Sequence, residues 1–539
     1  MANTKQIRIA RGRSSRRYRF DALPMTDEAV ASGIAARTDE TVKCKLHCRR
    51  VLASVDLAGL SQVFAGLGSA SILGGNTAKT HADRFSYWAA EPKEIFEFRT
   101  GQKEPLAKLD RVLGKYGFAE ADRVDSRLRG NDKSGNILPR SMFCGGWIGY
   151  FSYELGRHIE PAIGGPAATV DDIAMPLIRL CFYDRLIAYD HNSREFWLIA
   201  LELPGDNAKP GEKLAGLEEL LDRAGRISVK TPTPADLDDI DLARFRCNMN
   251  KDYYLRMLAK IRRHIYDGDV YQINFSQRFD CDFAGDAIDL FHWQNRYNPS
   301  GYSAYIDGPE FKIVSASPEM FLTINGRSIS TKPIKGTRRR IGPAPKPQEP
   351  LAGGRENGSG GRDELLNEQN FQELVSSEKE QAELNMIVDL ERNDLARICK
   401  AGTRHVVQPR TIEAYPTVFH AVATIAGRLR DEITFCDCLK AMFPGGSITG
   451  APKIRSMEII DETEPTARGV YTGSIGYIGL DGNVCLNIAI RTVIIAGQKA
   501  YAQTGGGIVA DSEPEEEWNE TITKARALLA GINSVQGTL

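Results

Sequence analysis

The chain has 539 residues, of which 42% are hydrophobic and 26% are charged, and its formal net charge is −1. This composition is ordinary for a globular protein that is long enough to contain two or three average domains. A net charge near zero gives no electrostatic reason to expect a nucleic-acid or membrane-surface partner. No apolar run approaches the ~20 residues that span a bilayer, so we expect neither kind of partner.

The first twenty residues form a basic segment without acidic side chains. Its seven cations are Lys5, Arg8, Arg11, Arg13, Arg16, Arg17 and Arg19. Because the segment lacks a secretory apolar core and a clear amphipathic stripe, we predict a disordered tail over residues 1–20, with organelle targeting as the alternative. The ten cysteines show no repeated spacing, which favours a reducing compartment and a cytoplasmic location.

The rest of the chain divides at a linker rich in Pro, Thr and Asp, VKTPTPADLDDI (229–240). We predict a mixed α/β N-terminal region over residues 21–235 and a second domain over residues 240–536. Two stretches resemble insertions because they are polar and rich in glycine, namely residues 122–136 and residues 339–370.

A hairpin is predicted near the middle of the chain, where residues 321–324 and 328–331 flank Asn325-Gly326. Asn-Gly is a strong signal for a tight turn between antiparallel strands. The hairpin would bring Glu319, just before it, close to Lys335, just after it. A lysine in a partly dry turn can be held neutral and act as a nucleophile, and a nearby carboxyl group can act as an acid.

Two acidic segments have helical spacing. Glu380 and Glu383 are three residues apart, and Glu517, Glu520 and Lys524 fall at positions i, i+3 and i+7. Each set would therefore share one helix face. Without further context, a solvated acidic face with internal ion pairs is the preferred interpretation.

Long ordered motifs in the C-terminal half make the chain similar to the chorismate-utilising enzymes, which include the anthranilate, aminodeoxychorismate, isochorismate and salicylate synthases. The motifs are SASPEMF (315–321), TKPIKGTR (331–338), SSEKEQAELNMIVDLERNDLARI (376–398), YPTVFHAV (415–422), FPGGSITGAPKIRSMEIIDETEP (443–465), GVYTGSIGYIG (469–479), IAIRT (488–492) and TGGGIVADSEPEEEWNETITKA (504–525). A weaker resemblance covers GGWIGYFSYELGR (145–157). The resemblance implies an α/β (α+β) fold with two large packed antiparallel β-sheets surrounded by helices.

The resemblance also implies a reaction and a catalytic set. Glu319 matches the acid that protonates the departing C4 hydroxyl of chorismate, Lys335 matches a nucleophile that adds at C2, and His420 matches an active-site histidine. Members that make anthranilate carry a small residue at the lysine position. The lysine therefore implies amination at C4, which gives 4-amino-4-deoxychorismate for folate synthesis.

The substrate-binding and metal-binding residues are likewise carried over from the resemblance. The implied chorismate-binding set is Thr449, Gly450, Tyr471, Ser474, Arg491, Gly505, Gly506 and Lys524. The implied cofactor is Mg²⁺, with Glu383 and Glu520 as direct ligands and with Glu380 and Glu517 binding through water. Carboxylate oxygens and waters are the ligands that Mg²⁺ prefers.

The sequence has no Gly-x-Cys-x-Gly elbow followed by His-x-Glu, so we expect ammonia to come from a separate glutaminase subunit. Two alternatives remain open. One is an anthranilate synthase component, and the other is a chorismate-binding subunit without turnover. Gln381, Asn385 and the 339–370 insertion depart from the family pattern and keep the second alternative open. In relatives the N-terminal half can hold a regulatory amino acid, but no residue set here establishes such a site.

Overall fold

The structure is a computed structural model that describes residues 41–76, 84–119, 138–139, 141–160, 163, 169–235, 237, 240–341, 360–415 and 418–536. The predicted tail at 1–20, the insertion at 122–136 and residues 342–359 of the second insertion lie outside the described residues.

The strands of the described chain belong to two large sheets. In chain order they are β1 (Val42–Val51), β2 (Ser71–Leu73), β3 (Phe85–Ala89), β4 (Glu94–Phe98), β5 (Tyr116–Phe118), β6 (Gly146–Phe151), β7 (Ile178–Tyr183), β8 (Arg185–Asp190), β9 (Glu195–Glu202), β10 (Arg246–Cys247), β11 (Gln272–Asp282), β12 (Tyr302–Asp307), β13 (Phe311–Ser317), β14 (Met320–Asn325), β15 (Ser328–Lys332), β16 (Ile334–Arg339), β17 (His405–Ala414), β18 (Val418–Arg428), β19 (Gly450–Ala451), β20 (Ser474–Gly479), β21 (Val484–Asn487), β22 (Thr492–Ala496) and β23 (Lys499–Ile508).

The larger sheet has the order β10-β11-β23-β22-β13-β12-β2-β3-β8-β9-β1-β5, with β19 beside β11. The smaller sheet has the order β16-β18-β15-β14-β21-β20-β6-β7-β4, with β17 beside β18. Neighbouring strands are antiparallel except for the parallel pair β1–β5.

Helices surround the two sheets. They are α1 (Leu57–Ala65), α2 (Pro105–Gly114), α3 (Leu155–Ile159), α4 (Pro210–Ala224), α5 (Lys251–Tyr266), α6 (Ala287–Tyr297), α7 (Gly360–Ser376), α8 (Glu378–Ala396), α9 (Phe435–Met442), α10 (Lys453–Thr463) and α11 (Pro514–Val535). None of the helices within the described residues is long and apolar enough to cross a membrane.

The two sheets pack face to face through aromatic side chains. The ring of Tyr87 on β3 lies edge-on to that of Tyr477 on β20, with 5.6 Å between centroids. Tyr150 on β6 meets Phe311 on β13 in the same way at 5.8 Å. A second apolar cluster packs α1, α4, α6 and α11 against the opposite face of the larger sheet. This arrangement confirms the predicted fold class. The sheets pack because each has an apolar face that needs a second layer to cover it.

Both sheets contain strands from both halves of the chain. In the larger sheet β2 pairs with β12, and in the smaller sheet β6 pairs with β20. The described residues from Val42 onward form one compact unit, so the predicted division at 235–240 falls inside that unit. Strand pairing between distant segments joins the two halves into this unit. The linker-like composition of the sequence does not indicate that pairing.

The predicted hairpin is present as β14 and β15, which pair antiparallel with Ile324 opposite Ile329. Gly326 in the turn has a φ of 61°, a conformation that glycine adopts without a steric penalty. Asn385, which departs from the family pattern, is exposed on α8 and therefore costs no buried packing.

Candidate active site

The candidate site lies where the bend between β13 and β14 meets the start of β16, the loop 445–450 and the glycine run of β23. Glu319 lies in that bend and is only 3% exposed. Its Oε1 accepts hydrogen bonds from the Ser447 hydroxyl at 2.7 Å and from the Ile334 N–H at 3.3 Å. Burial raises the pKa of Glu319, and these two donors offset only part of the increase. The geometry and the direction of the pKa shift suit a carboxyl group that gives a proton to substrate.

Lys335 follows Ile334 directly, so the hairpin does bring the lysine next to the acid. Its Nζ lies 2.7 Å from Glu383 Oε1, and the two side chains are 11% and 19% exposed. Gln272 Nε2 donates to the same carboxylate oxygen at 2.5 Å. Burial raises the pKa of Glu383, but Lys335 and Gln272 stabilise the carboxylate more strongly, and its pKa is lowered overall.

His420 lies on β18 opposite Thr337 of β16 and is buried. Its Nδ1 is 2.8 Å from Thr337 Oγ1, and its Nε2 is 3.5 Å from Arg491 Nη2. Because a guanidinium group can only donate, Nε2 is the acceptor and Nδ1 carries the proton. Burial and the charge of Arg491 lower the pKa of His420 well below its usual range, so the ring is neutral.

Arg491 lies in a bend between β21 and β22. The strand β21 ends at Asn487, and Arg491 has a φ of 50°. The Ile488 N–H donates to the Glu319 carbonyl at 2.9 Å, and the Ala316 N–H donates to the Arg491 carbonyl at 3.0 Å. The first bond ties the chain after β21 to the bend that holds Glu319, and the second joins Arg491 to β13 just before β22 begins at Thr492.

The loop 445–450 contains two of the implied chorismate-binding residues, Thr449 and Gly450. The helix α10 is present, but a short 3-10 turn (Gly446–Ile448) and β19 come first. The Thr449 hydroxyl donates to the Gly445 carbonyl at 2.9 Å. Gly450 has a φ of 141°, and a Cβ there would lie 2.1 Å from the Gln272 carbonyl oxygen. The loop is therefore held against β11 at a distance that only glycine permits.

Two further predicted chorismate ligands are buried and turned toward protein groups. The Ser474 hydroxyl donates to the Asn487 carbonyl at 2.6 Å. The ring of Tyr471 lies 5.9 Å from the Arg468 guanidinium, and burial raises the pKa of the phenol. In this structure both residues therefore make structural contacts within the protein.

The glycine run of β23 lies between β11 and α11. A Cβ on Gly505 would be 2.6 Å from the Phe275 carbonyl oxygen, and one on Gly506 would be 3.1 Å from Glu517 Oε2. Lys524 donates to the Gly505 carbonyl at 3.1 Å and pairs with Glu520 at 2.6 Å. Lys524 is half-exposed and remains accessible to a small anion.

The four predicted magnesium ligands lie in the first two turns of two helices, of which only α8 has a side-chain cap. Ser377 caps α8 by accepting the Glu380 N–H at 3.3 Å, and α11 begins with Pro514 in its first turn. Glu517 accepts the Ser512 hydroxyl at 2.6 Å. Burial raises the pKa of Glu517, and Glu520 raises it further.

The remaining carboxylates are also partnered. Glu380 pairs with Arg338 at 2.7 Å, while its Oε2 is buried without a partner among the described residues. Within the described ranges, no three His, Cys, Asp or Glu side chains converge closely enough to hold a metal ion. The oxygen donors and the unpaired Oε2 of Glu380 fit the chemistry of Mg²⁺, but a preformed cage is not present.

Sequence reasoning missed three residues that hold the site together. Ser447 binds Glu319, Gln272 binds Glu383, and Thr337 binds His420. Ser447 and Thr337 lie inside recognised motifs, but their partners are 128 and 83 residues away along the chain. No local pattern in the sequence indicates such pairs.

Comparison with known proteins identifies one family over most of the chain. The family described as chorismate binding enzyme matches residues 76–530. Aminodeoxychorismate synthase component 1 of Bacillus subtilis is 36% identical over 386 residues, which is 72% of this chain and 76% of that protein. Anthranilate synthase component 1 of Pseudomonas putida is 35% identical over 403 residues, which is 74% of this chain and 77% of that protein. The crystal structure of anthranilate synthase component I from Streptococcus pneumoniae superposes with a TM-score of 0.66 and 29% identity, covering 84% of this chain and 93% of that chain.

The chain belongs to the chorismate-binding enzyme family and is an enzyme that acts on chorismate. Relatives that make aminodeoxychorismate and relatives that make anthranilate match it at similar identity. The family is thus established, and the particular reaction must be argued from the site.

Proposed function

We propose that this chain is component I of an aminodeoxychorismate synthase, which converts chorismate and ammonia to 4-amino-4-deoxychorismate. The observation that carries the proposal is the position of Lys335, one residue after the N–H that binds the buried Glu319. The Lys335 amine and the Glu319 carboxyl group, whose pKa burial raises, are thereby close enough to act on one small substrate.

In the proposed reaction the Lys335 amine gives its electron pair to C2 of chorismate. The two ring double bonds shift, the C4–O bond breaks, and Glu319 donates its proton so that water leaves. Ammonia then attacks C4, the double bonds shift back, and the C2–N bond to Lys335 breaks. The net change is the exchange of hydroxyl for amine at C4, with one water formed per ammonia used.

Other groups of the chain have binding roles in this proposal. Arg491 and Lys524 supply positive charge for the two carboxylates of chorismate, and a guanidinium group can bind a carboxylate through two hydrogen bonds. The neutral His420 packs beside Arg491 and can accept or relay a proton. Mg²⁺ would be held by Glu383 and Glu520, with Glu380 and Glu517 through water, and would neutralise a substrate carboxylate.

The ion pair between Lys335 and Glu383 bears on the order of events. The Lys335 amine is held at 2.7 Å by Glu383 and must leave this partner before it can add to C2. Only an unprotonated amine has the electron pair that the addition needs.

Ammonia is proposed to come from a separate glutaminase subunit. The relatives are named as component 1 of their synthases, which supports a second component. This proposal predicts that glutamine supports turnover only when the partner subunit is added, whereas ammonium salts support it without the partner.

The second candidate function is that of anthranilate synthase component I, and the 35% identity to the Pseudomonas putida protein favours it. The test is to incubate the purified chain with chorismate, Mg²⁺ and an ammonium salt at mildly alkaline pH. The product is then identified by mass and by ultraviolet spectrum. A 4-amino-4-deoxychorismate product supports the proposal, and anthranilate would contradict it.

A further inference from the structure

A buried acidic residue lies beneath the chorismate loop and has no part in the proposed reaction. Glu391 is on α8, on the buried side of the helix, and is only 2% exposed. Its Oε1 accepts the Gly446 N–H at 3.2 Å. Its Oε2 is buried and has no hydrogen-bond partner among the described residues.

Glu391 is linked to the predicted acid, Glu319, through two successive residues of the loop. Gly446 is bonded to Glu391, and the next residue, Ser447, donates to Glu319 at 2.7 Å. A Cβ on Gly446 would lie 2.5 Å from Leu390 Cδ2 and 3.3 Å from Glu391 Oε1, so the loop lies directly on α8. Movement of Gly446 away from α8 would therefore move the hydroxyl that orients the acid.

We propose that Glu391 is a positioning residue, which holds the 445–450 loop against α8 through Gly446 and so fixes Ser447 on Glu319. The carboxyl group does this as a neutral acceptor. It touches neither substrate nor reacting atoms, and its effect on catalysis passes through the loop.

The charges around Glu391 favour its neutral form. Asp394 lies one turn further along α8, Glu319 lies in the β13–β14 bend, and Lys453 of α10 is the nearest cation. Lys453 is already bound to Asp394 at 2.6 Å and to the Met442 carbonyl at 2.7 Å. Burial, followed by the charge of Asp394, raises the pKa of Glu391 to about 8. The Gly446 N–H favours the ionised form, but burial and Asp394 outweigh it. An ionised Glu391 would be a buried charge without a cation of its own, and its cost falls if the loop moves away from α8 and admits water.

The test compares Glu391→Leu, Glu391→Gln and a control on the same helix, Asp389→Asn. Asp389 is 74% exposed and makes a local pair with Arg392. Glu391→Leu leaves a buried N–H without an acceptor, and we expect kcat/KM for chorismate consumption to fall about 5- to 100-fold. Glu391→Gln keeps an acceptor oxygen and should restore most of this loss, while Asp389→Asn should behave as the wild type does.

The pH dependence of kcat/KM distinguishes a positioning role of Glu391 from a role in packing alone. Relative to Glu391→Gln, the wild type should lose kcat/KM as the pH rises through about 8, because only the wild type can ionise at this position. If the two profiles coincide, or if Glu391→Gln is as impaired as Glu391→Leu, the proposal is wrong.

A stability measurement keeps the test independent of turnover. The unfolded carboxyl ionises near its ordinary pKa of 4.5, while the folded one keeps its proton up to about pH 8. Unfolding therefore releases a proton in this window, and the wild type should lose stability relative to Glu391→Gln as the pH rises from 4.5 to 8. A constant difference over that range would overturn the proposal.

The inference rests on the proposed function only in the role of Glu319 as the acid. The identity of the product tests the proposed function, whereas the pH dependence of chorismate consumption and of stability tests Glu391. Anthranilate as the product would refute the proposed function and leave the positioning role intact.

Discussion

Replacing Lys335 with alanine removes the proposed nucleophile and also leaves Glu383 without its cation. We expect the variant to lose 4-amino-4-deoxychorismate formation, because ammonia can no longer displace a lysine from C2. If ammonia then reaches C2 itself, the product becomes anthranilate. Mass and ultraviolet spectra of the product distinguish the two outcomes.

The stability cost can be worked out from the ion pair. Removing one partner of a fully buried pair costs about 3–5 kcal/mol, because the other charge stays buried and uncompensated. Lys335 and Glu383 are 11% and 19% exposed, and Gln272 still donates to the carboxylate, so we expect about 2–3 kcal/mol at pH 7. Urea unfolding in magnesium-free buffer measures this value, provided that the m-value is unchanged.

The pH dependence of that cost follows from the pKa of Glu383. In the wild type burial raises this pKa but Lys335 and Gln272 lower it more, so the carboxylate contributes stability above its ordinary pKa of 4.5. That contribution is lost as the pH falls through the lowered folded value. The cost of Lys335→Ala should therefore be largest at neutral pH and should shrink toward pH 4.

Two further variants complete the experiment. Glu383→Gln in the Lys335→Ala background removes the orphaned charge, so it should recover part of the lost stability. Lys332→Ala is the matched control, because Lys332 at the end of β15 pairs with Glu413 at 2.6 Å with similar exposure. The control should lose comparable stability and keep the product of the wild type. Continued formation of 4-amino-4-deoxychorismate by Lys335→Ala would refute the covalent role.

Three further results are expected. Glu319→Gln should lower kcat about 10²- to 10⁴-fold, because the amide cannot donate the proton that the acid donates, while equilibrium binding of chorismate should persist. An equal loss of binding would contradict the role of Glu319 as the acid. Gly450→Ala should abolish turnover, because its Cβ would lie 2.1 Å from a carbonyl oxygen. Gly216→Ala in α4 is the control, because it has open space around it and should raise the free energy of unfolding in urea by about 0.5–1 kcal/mol. Chelation of Mg²⁺ should stop turnover, and Glu520→Gln should raise the Mg²⁺ concentration needed to restore it; full activity in EDTA would refute the metal requirement.

Local chemistry in the sequence determined much of the architecture. The Asn325-Gly326 turn, the capped start of α8 and the helical spacing of Glu517 and Glu520 each depend on residues a few positions apart. Such features are set by backbone conformation and by hydrogen bonds within one or two turns. The length of the motifs and their order along the chain were together enough to indicate the family.

The tertiary structure alone decided which distant groups meet. Ser447 binds an acid 128 residues away, Gln272 binds a carboxylate 111 residues away, and the Arg491 carbonyl accepts the Ala316 N–H of β13. The same holds for the joining of the two halves within both sheets. These contacts arise from burial of apolar faces and from pairing of buried polar groups, which depend on the whole fold and leave no periodic trace in the sequence.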